Sequence, residues 1–132
     1  LADAAAALDW VERENFDNSQ CWIAGFSFGS LIAMQLLMRR PEISGFKSVS
    51  PPANTYDFSF LAPCPSSGLI VNGSLVSIVP PSDIKVLSDR LKFQKGIEVS
   101  HKEIEGADHF FTNFEEEMTN TVNEYLATRS DF

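Results

Sequence analysis

An α/β fold with about four strands in a mainly parallel sheet is what this sequence predicts. Two observations carry that reading. Segments alternate in the order helix, strand, helix, strand, strand, helix, strand, helix along the 132 residues, an order that indicates parallel strands joined by crossover helices. The first strand-like segment, Cys21-Trp22-Ile23-Ala24-Gly25-Phe26, is short and apolar without interruption, which suits a strand buried on both faces. The length predicts a single domain, residues 1–132. At that size roughly two-thirds of the unfolded surface is removed on folding, enough for a real core. No internal repeat and no low-complexity segment interrupts it.

Each element has its own signal. Leu1 to Arg13 reads as a helix, because Leu1, Ala4, Leu8 and Val11 recur at helical spacing in an alanine-rich run. Polar residues from Glu14 to Gln20 end it. After the Cys21–Phe26 strand, Phe28 to Arg40 is helical and apolar nearly all round, the mark of a buried helix. Arg39 and Arg40 lie where the helix dipole favours cations, and Pro41 stops the helix. Phe46 to Ser50 is a second strand. Pro51 to Pro65 is a loop by its Pro, Asn and Asp content, with Tyr56, Phe58 and Phe60 inside it. Gly68 to Gly73 is a third strand. Pro81 to Gln94 is a helix with Ile84, Leu87 and Leu91 on one face and Gly96 as its stop. Ile97 to Ile104 is a fourth strand. Asn113 and Glu116 have capping-box spacing before a last helix with an acidic first turn and a stripe of Met118, Val122, Tyr125 and Leu126.

The balance of 18 acidic against 10 basic residues gives a formal charge of −8. Such a surface repels phosphates, so nucleic acid is not an expected partner. No apolar run approaches the ~18 residues of a membrane span, so no membrane is expected either, and no basic-then-apolar leader is read. Cys21 and Cys64 make no disulfide framework. Free thiols point to a reducing compartment, hence the cytoplasm. Two distant histidines and no Cys-x-x-Cys offer no metal ligand set, and Gly25-x-x-x-Gly29 lacks the Gly-Lys-Ser/Thr end of a phosphate loop. No cofactor and no metal are therefore expected.

Gly25-Phe26-Ser27-Phe28-Gly29 is a G-x-S-x-G pentapeptide. It stands between a buried strand and an apolar helix, the context in which that motif presents a nucleophilic serine. The serine occupies a sharp, strained turn, so small neighbours are expected at both glycines. The turn lifts the hydroxyl above the sheet, and the helix that starts there favours developing negative charge. The competing reading is a Gly-Ser turn opening an ordinary helix.

With this motif, Gly25 to Ile43, the stretch from Asn54-Thr55-Tyr56-Asp57-Phe58 to Asn72-Gly73, and Gly106-Ala107-Asp108-His109-Phe110-Phe111, the chain resembles a small bacterial α/β-hydrolase of the compact esterase or dienelactone-hydrolase-like kind. The resemblance is to the C-terminal half of that fold, a truncated version of about eight strands. It implies that His109, in a Gly-x-x-His segment after the last strand, takes the proton of Ser27 and returns it to the leaving group. His101 lies within the last strand and reads as a half-buried or surface residue.

The family's acid usually follows the third strand seen here, in a Gly-Asp-x-Asp-x-Val pattern. This chain has Gly73-Ser74-Leu75-Val76-Ser77-Ile78, with Val76 at the acid's position. Asp83 is the nearest downstream carboxylate and the candidate acid; Asp57 is a second option, and a Ser–His dyad without an acid is a third. Asp108 adjoins His109 with its side chain expected to point away. The backbone N–H of Phe28 is the expected oxyanion donor, the missing half of the fold normally carrying the loop that gives the other. Phe26, Phe28, Phe110 and Phe111 are expected to line an open pocket. The resemblance implies a serine hydrolase cleaving short-chain carboxylic esters through an acyl-enzyme. The alternative is a non-catalytic remnant that keeps the scaffold as an interaction module. The Cys21–Phe26 strand, apolar and uncharged, would leave an unprotected sheet edge, so self-association into a homo-oligomer is expected.

Overall fold

The computed structural model describes residues 1–15, 20–75 and 78–129. Its elements run α1 (Ala2–Glu14), β1 (Trp22–Phe26), α2 (Phe28–Arg39), β2 (Gly45–Val49), β3 (Gly68–Gly73), α3 (Pro81–Lys92), β4 (Val99–Ile104) and α4 (Glu115–Thr128). The four strands form one sheet in the order β1-β2-β3-β4, and every neighbouring pair is parallel. The predicted α/β architecture is the one observed.

Parallel pairing of all neighbours, with α2 joining β1 to β2, a loop joining β2 to β3 and α3 joining β3 to β4, puts all four strand C-terminal ends along one edge of the sheet. The register pairs Ile23 with Phe46, Phe46 with Gly68, and Gly68 with Val99. Side chains alternate between the two faces of each strand. One face carries Ile23, Phe46, Ile70 and Val99 against Leu8 of α1, Leu31, Met34 and Leu37 of α2, and Ile84, Leu87 and Leu91 of α3. The opposite face carries Trp22, Val49, Leu69, Val71 and Ile104 against Met118, Val122 and Tyr125 of α4. Trp22 meets Tyr125 edge-on at 6.0 Å between ring centroids. Phe46, at the centre of the larger core, is wholly buried; burying a side chain of that kind contributes about 1.5–3 kcal/mol.

The expectation that β1 is buried on both faces is not met. β1 is an edge strand, and Ala24 and Phe26 are exposed. Its continuous apolar character comes from Ile23 packing on one face and from an outer face that no described element covers beyond Trp22. Val11 is likewise exposed, because α1 meets the core through Leu1, Ala4, Ala5 and Leu8 only. The ends of the first, second and third helices agree with their stop signals to within a few residues. Arg40, just past α2, binds Asp9 at 2.8 Å and Glu12 at 3.3 Å on α1, and Glu42 at 2.7 Å. The Asn113–Glu116 capping box does not form. Phe114 occupies the cap position without a side-chain bond, and Asn113 adopts a positive φ of 67°. No described helix is long and apolar enough to cross a membrane.

Candidate active site

Ser27 lies between the last residue of β1 and the first of α2, at φ 55° and ψ −122°. A positive φ at a residue with a Cβ costs on the order of 1–3 kcal/mol and persists only where the surroundings enforce it. Here the Ser27 N–H donates to the Val49 carbonyl at 2.9 Å, and the Ser27 carbonyl accepts from the Ser30 N–H at 2.9 Å. The turn folds back so tightly that a Cβ at Gly25 would collide with the Gly29 carbonyl and lie 2.7 Å from the Ser30 Cα. Gly25 therefore has no substitute. Gly29 differs from expectation: a Cβ there meets nothing within 4 Å, so only one glycine of the motif is sterically required. Beneath the turn, the buried hydroxyls of Ser30 and Ser48 hydrogen-bond each other and tie α2 to β2.

His109 comes from the loop after β4 and puts its Nε2 2.9 Å from the Ser27 Oγ. Residues far apart in sequence meet because β1 and β4 both end at the same sheet edge. The loop is held from below. The Ser50 hydroxyl donates to the His109 carbonyl at 3.0 Å, while the Ser50 N–H donates to Val71 O at 2.7 Å. Ser50 is 1% exposed and has a positive φ of 50°. A Cβ at Gly73 would collide with the Ala107 carbonyl, so glycine lets the loop approach β3. Ser74 Oγ accepts the Gly106 N–H at 2.6 Å, and the Leu75 N–H reaches Ala107 O at 3.1 Å.

Ser50, Gly73 and Ser74 were not singled out by the sequence reading as functional. Their signal was positional: each stands at or just after the C-terminal end of a strand, where parallel sheets assemble their sites.

His109 is 7% exposed. Burial holds its pKa below the ordinary 6.5, and the neighbouring Asp108 charge opposes that shift. A neutral imidazole beside a hydroxyl is the state needed for a general base. Asp108 itself turns away, as expected: its Oδ1 accepts the N–H groups of Phe110 at 3.0 Å and Thr112 at 2.9 Å. The Thr112 bond leads the causes that hold its carboxyl below the usual range.

No described carboxylate hydrogen-bonds the His109 ring. The candidate acid Asp83 is in the first turn of α3, its N–H donating to Pro80 O at 3.1 Å, and it makes no bond to His109. Asp57 spends its carboxylate on the Ser59 N–H at 2.8 Å. Val76 lies outside the described residues.

The Phe28 N–H opens α2 and has no acceptor among the described residues. Three predicted aromatics surround Ser27 in the open: Phe26, Phe28 and Phe110. The Phe26 ring is 5.4 Å and the Phe110 ring 5.0 Å from the His109 ring. Tyr56 joins them, 5.7 Å from Phe28; the sequence placed it in a loop cluster without linking it to the serine. Phe111 is a correction. It is 1% exposed and packs with Leu69, Val71, Ile104 and Tyr125. Its φ of 56° sends it into the core while Phe110 stays outside. His101 is half-buried on β4, its Nε2 hydrogen-bonded to the buried Asn72.

No family model matches the chain. An uncharacterized protein of Rickettsia prowazekii is 52% identical over 132 residues, which is 97% of this chain and 56% of that protein. A crystal structure of a protein of unknown function from Agrobacterium tumefaciens, assigned to the α/β hydrolases, superposes with a TM-score of 0.94 at 53% identity. The match covers 98% of this chain and 59% of that one. An α/β serine hydrolase homologue from Coxiella burnetii gives 0.80 at 30% identity, over 94% of this chain and 57% of its own. The chain thus spans a little over half the length of the relatives it matches.

Proposed function

We propose that this chain, which carries part of an α/β-hydrolase fold, is a serine hydrolase acting on short-chain carboxylic esters. One observation supports the reading above the others: the 2.9 Å contact between His109 Nε2 and the Oγ of a serine held at positive φ. The solved relatives support a hydrolase at the coarse level; the ester substrate is the finer step taken here.

The chemistry follows from the geometry. Ser27 Oγ attacks the acyl carbon as its proton passes to His109 Nε2. The carbonyl oxygen becomes an oxyanion, met by the Phe28 N–H at the positive end of α2. The tetrahedral adduct collapses, the bond to the alcohol oxygen breaks, and His109 gives that oxygen its proton. Water then attacks the acyl-Ser27 ester, losing a proton to His109, and the acid leaves as Ser27 regains its hydrogen. Phe26, Phe28, Tyr56 and Phe110 give the acyl group an open aromatic rim.

The second reading is a non-catalytic scaffold, favoured by the lack of a described carboxylate on His109. Hydrolysis of p-nitrophenyl acetate separates the two. The enzyme reading expects turnover that falls to background in both Ser27→Ala and His109→Ala. No turnover in the wild type favours the scaffold, and turnover that survives Ser27→Ala overturns Ser27 as the nucleophile.

A further inference from the structure

We infer that the rings of Phe26 and Phe110 stabilise the positive charge that His109 takes on when it accepts the Ser27 proton, supplying part of what a carboxylate partner supplies to such a base. The effect on turnover rests on the hydrolase reading; the ring contacts themselves do not. Among the described residues no carboxylate hydrogen-bonds the imidazole. Asp108, the charged group that acts on it, spends its Oδ1 on the N–H groups of Phe110 and Thr112. A buried base meets its new charge with whatever groups surround it.

Here those groups are aromatic. The Phe26 ring centroid lies 5.4 Å from that of His109 at an interplanar angle of 45°, and the Phe110 centroid 5.0 Å away at 87°. Both fall inside the ~6 Å at which a cation is attracted by the electron density of a ring. The two phenyl centroids are 6.0 Å apart, so the three rings form one compact triangle. Each phenyl is placed by a different part of the fold. Phe26 is the last residue of β1, one before the serine. The Phe110 N–H donates to Asp108 Oδ1 at 3.0 Å, and the positive φ of Phe111 sends the following side chain into the core while Phe110 stays outside.

A neutral imidazole gains little from such neighbours and an imidazolium gains more. An interaction that strengthens as charge develops is the kind that lowers the barrier to proton transfer. Burial works the other way, because it disfavours the charged ring and holds His109 below its ordinary pKa. The phenyl rings thus offset part of a penalty to which their own bulk contributes. The two effects differ in what they depend on: burial on apolar bulk, the ring contact on electron density.

The test separates them. Phe26 and Phe110 are both exposed, which leaves room for substituents on their rings. Phe110 is replaced in turn by 4-methylphenylalanine, more apolar and richer in ring electrons, and by 4-cyanophenylalanine, more polar and poorer in them. The titration of His109 is followed without substrate through its imidazole Cε1–H signal in NMR, assigned by its loss in His109→Ala. A cation–π contact at a partly exposed site is worth a factor of about two to five. The methyl variant should therefore raise the titration midpoint and the cyano variant lower it, each by roughly a few tenths of a pH unit. Hydrolysis of p-nitrophenyl acetate at pH 8, where the ring is neutral in every variant, should fall by up to about fivefold in the cyano variant. Bulk alone predicts the opposite order of midpoints. Equal midpoints or the reverse order overturn the inference. The same pair of replacements at Phe26 repeats the test and decides it should either one unfold the His109 loop. The expected order without turnover upholds the ring contacts and removes the hydrolase reading; turnover with equal or reversed midpoints does the converse.

Discussion

Replacing Ser50 by alanine removes one hydroxyl from beneath the proposed general base. The Ser50 hydroxyl donates 3.0 Å to the backbone carbonyl of His109, in a position 1% exposed to solvent. Without it that carbonyl loses a buried partner, a loss of about 1–3 kcal/mol. If the cost falls on the docked position of the loop, the imidazole leaves Ser27 correspondingly more often. At 1.36 kcal/mol per tenfold in rate, labelling of Ser27 by a fluorophosphonate should slow by roughly tenfold to a hundredfold. Ser50→Gly is the control. Glycine adopts the φ of 50° without strain but also lacks the hydroxyl, so it should slow labelling comparably. Thermal denaturation of each variant keeps stability separate from rate. Wild-type labelling in Ser50→Ala would refute the argument. So would full recovery in Ser50→Gly, because backbone strain would then be the cause and not the missing hydrogen bond.

Burial holds the His109 pKa below 6.5, and only the neutral ring accepts a proton. Activity should therefore be complete near neutral pH and fall on acidification through a midpoint below 6.5. Asp108→Asn keeps the oxygen that bonds Phe110 and Thr112 but removes a charge that raises the His109 pKa, so it should move the midpoint of the pH–rate profile lower still. Asp83→Asn should leave the rate of p-nitrophenyl acetate hydrolysis within about twofold, since a group that makes no bond to the base has little to lose on neutralisation. The two motif glycines should separate in thermal denaturation. Gly25→Ala forces a Cβ into the Gly29 backbone and should cost about 1–3 kcal/mol or more. Gly29→Ala enters open space in a helix and should be neutral or stabilising by up to about 1 kcal/mol.

The elements were legible because their signals were local: the apolar runs of the strands, the stripe of Ile84, Leu87 and Leu91, and Pro41 as a stop. Ser27 and His109 were legible because a motif and a strand end mark them. What escaped depends on neighbours that the sequence does not reveal. Cys21 to Phe26 looks the same whether its outer face is covered or bare, so the exposure of Ala24 and Phe26 could not be read. Phe110 and Phe111 are identical in type, and only the positive φ at Phe111 sends one into solvent and the other into the core. Ser50 escaped because it reads as the last residue of the second strand; its role lies in a bond to a carbonyl 59 positions away. The acid assignment to Asp83 followed order along the chain, whereas among the described residues Asp83 makes no hydrogen bond to the imidazole.

In the proposed mechanism His109 activates Ser27 as a nucleophile. Intact-mass spectrometry after treatment with a fluorophosphonate, with the adduct mapped by peptide fragmentation, tests it most directly. One adduct per chain is expected, located on Ser27, absent in Ser27→Ala and slowed at least a hundredfold in His109→Ala, where the base is removed. An adduct on another residue, or labelling in His109→Ala at the wild-type rate, would contradict it.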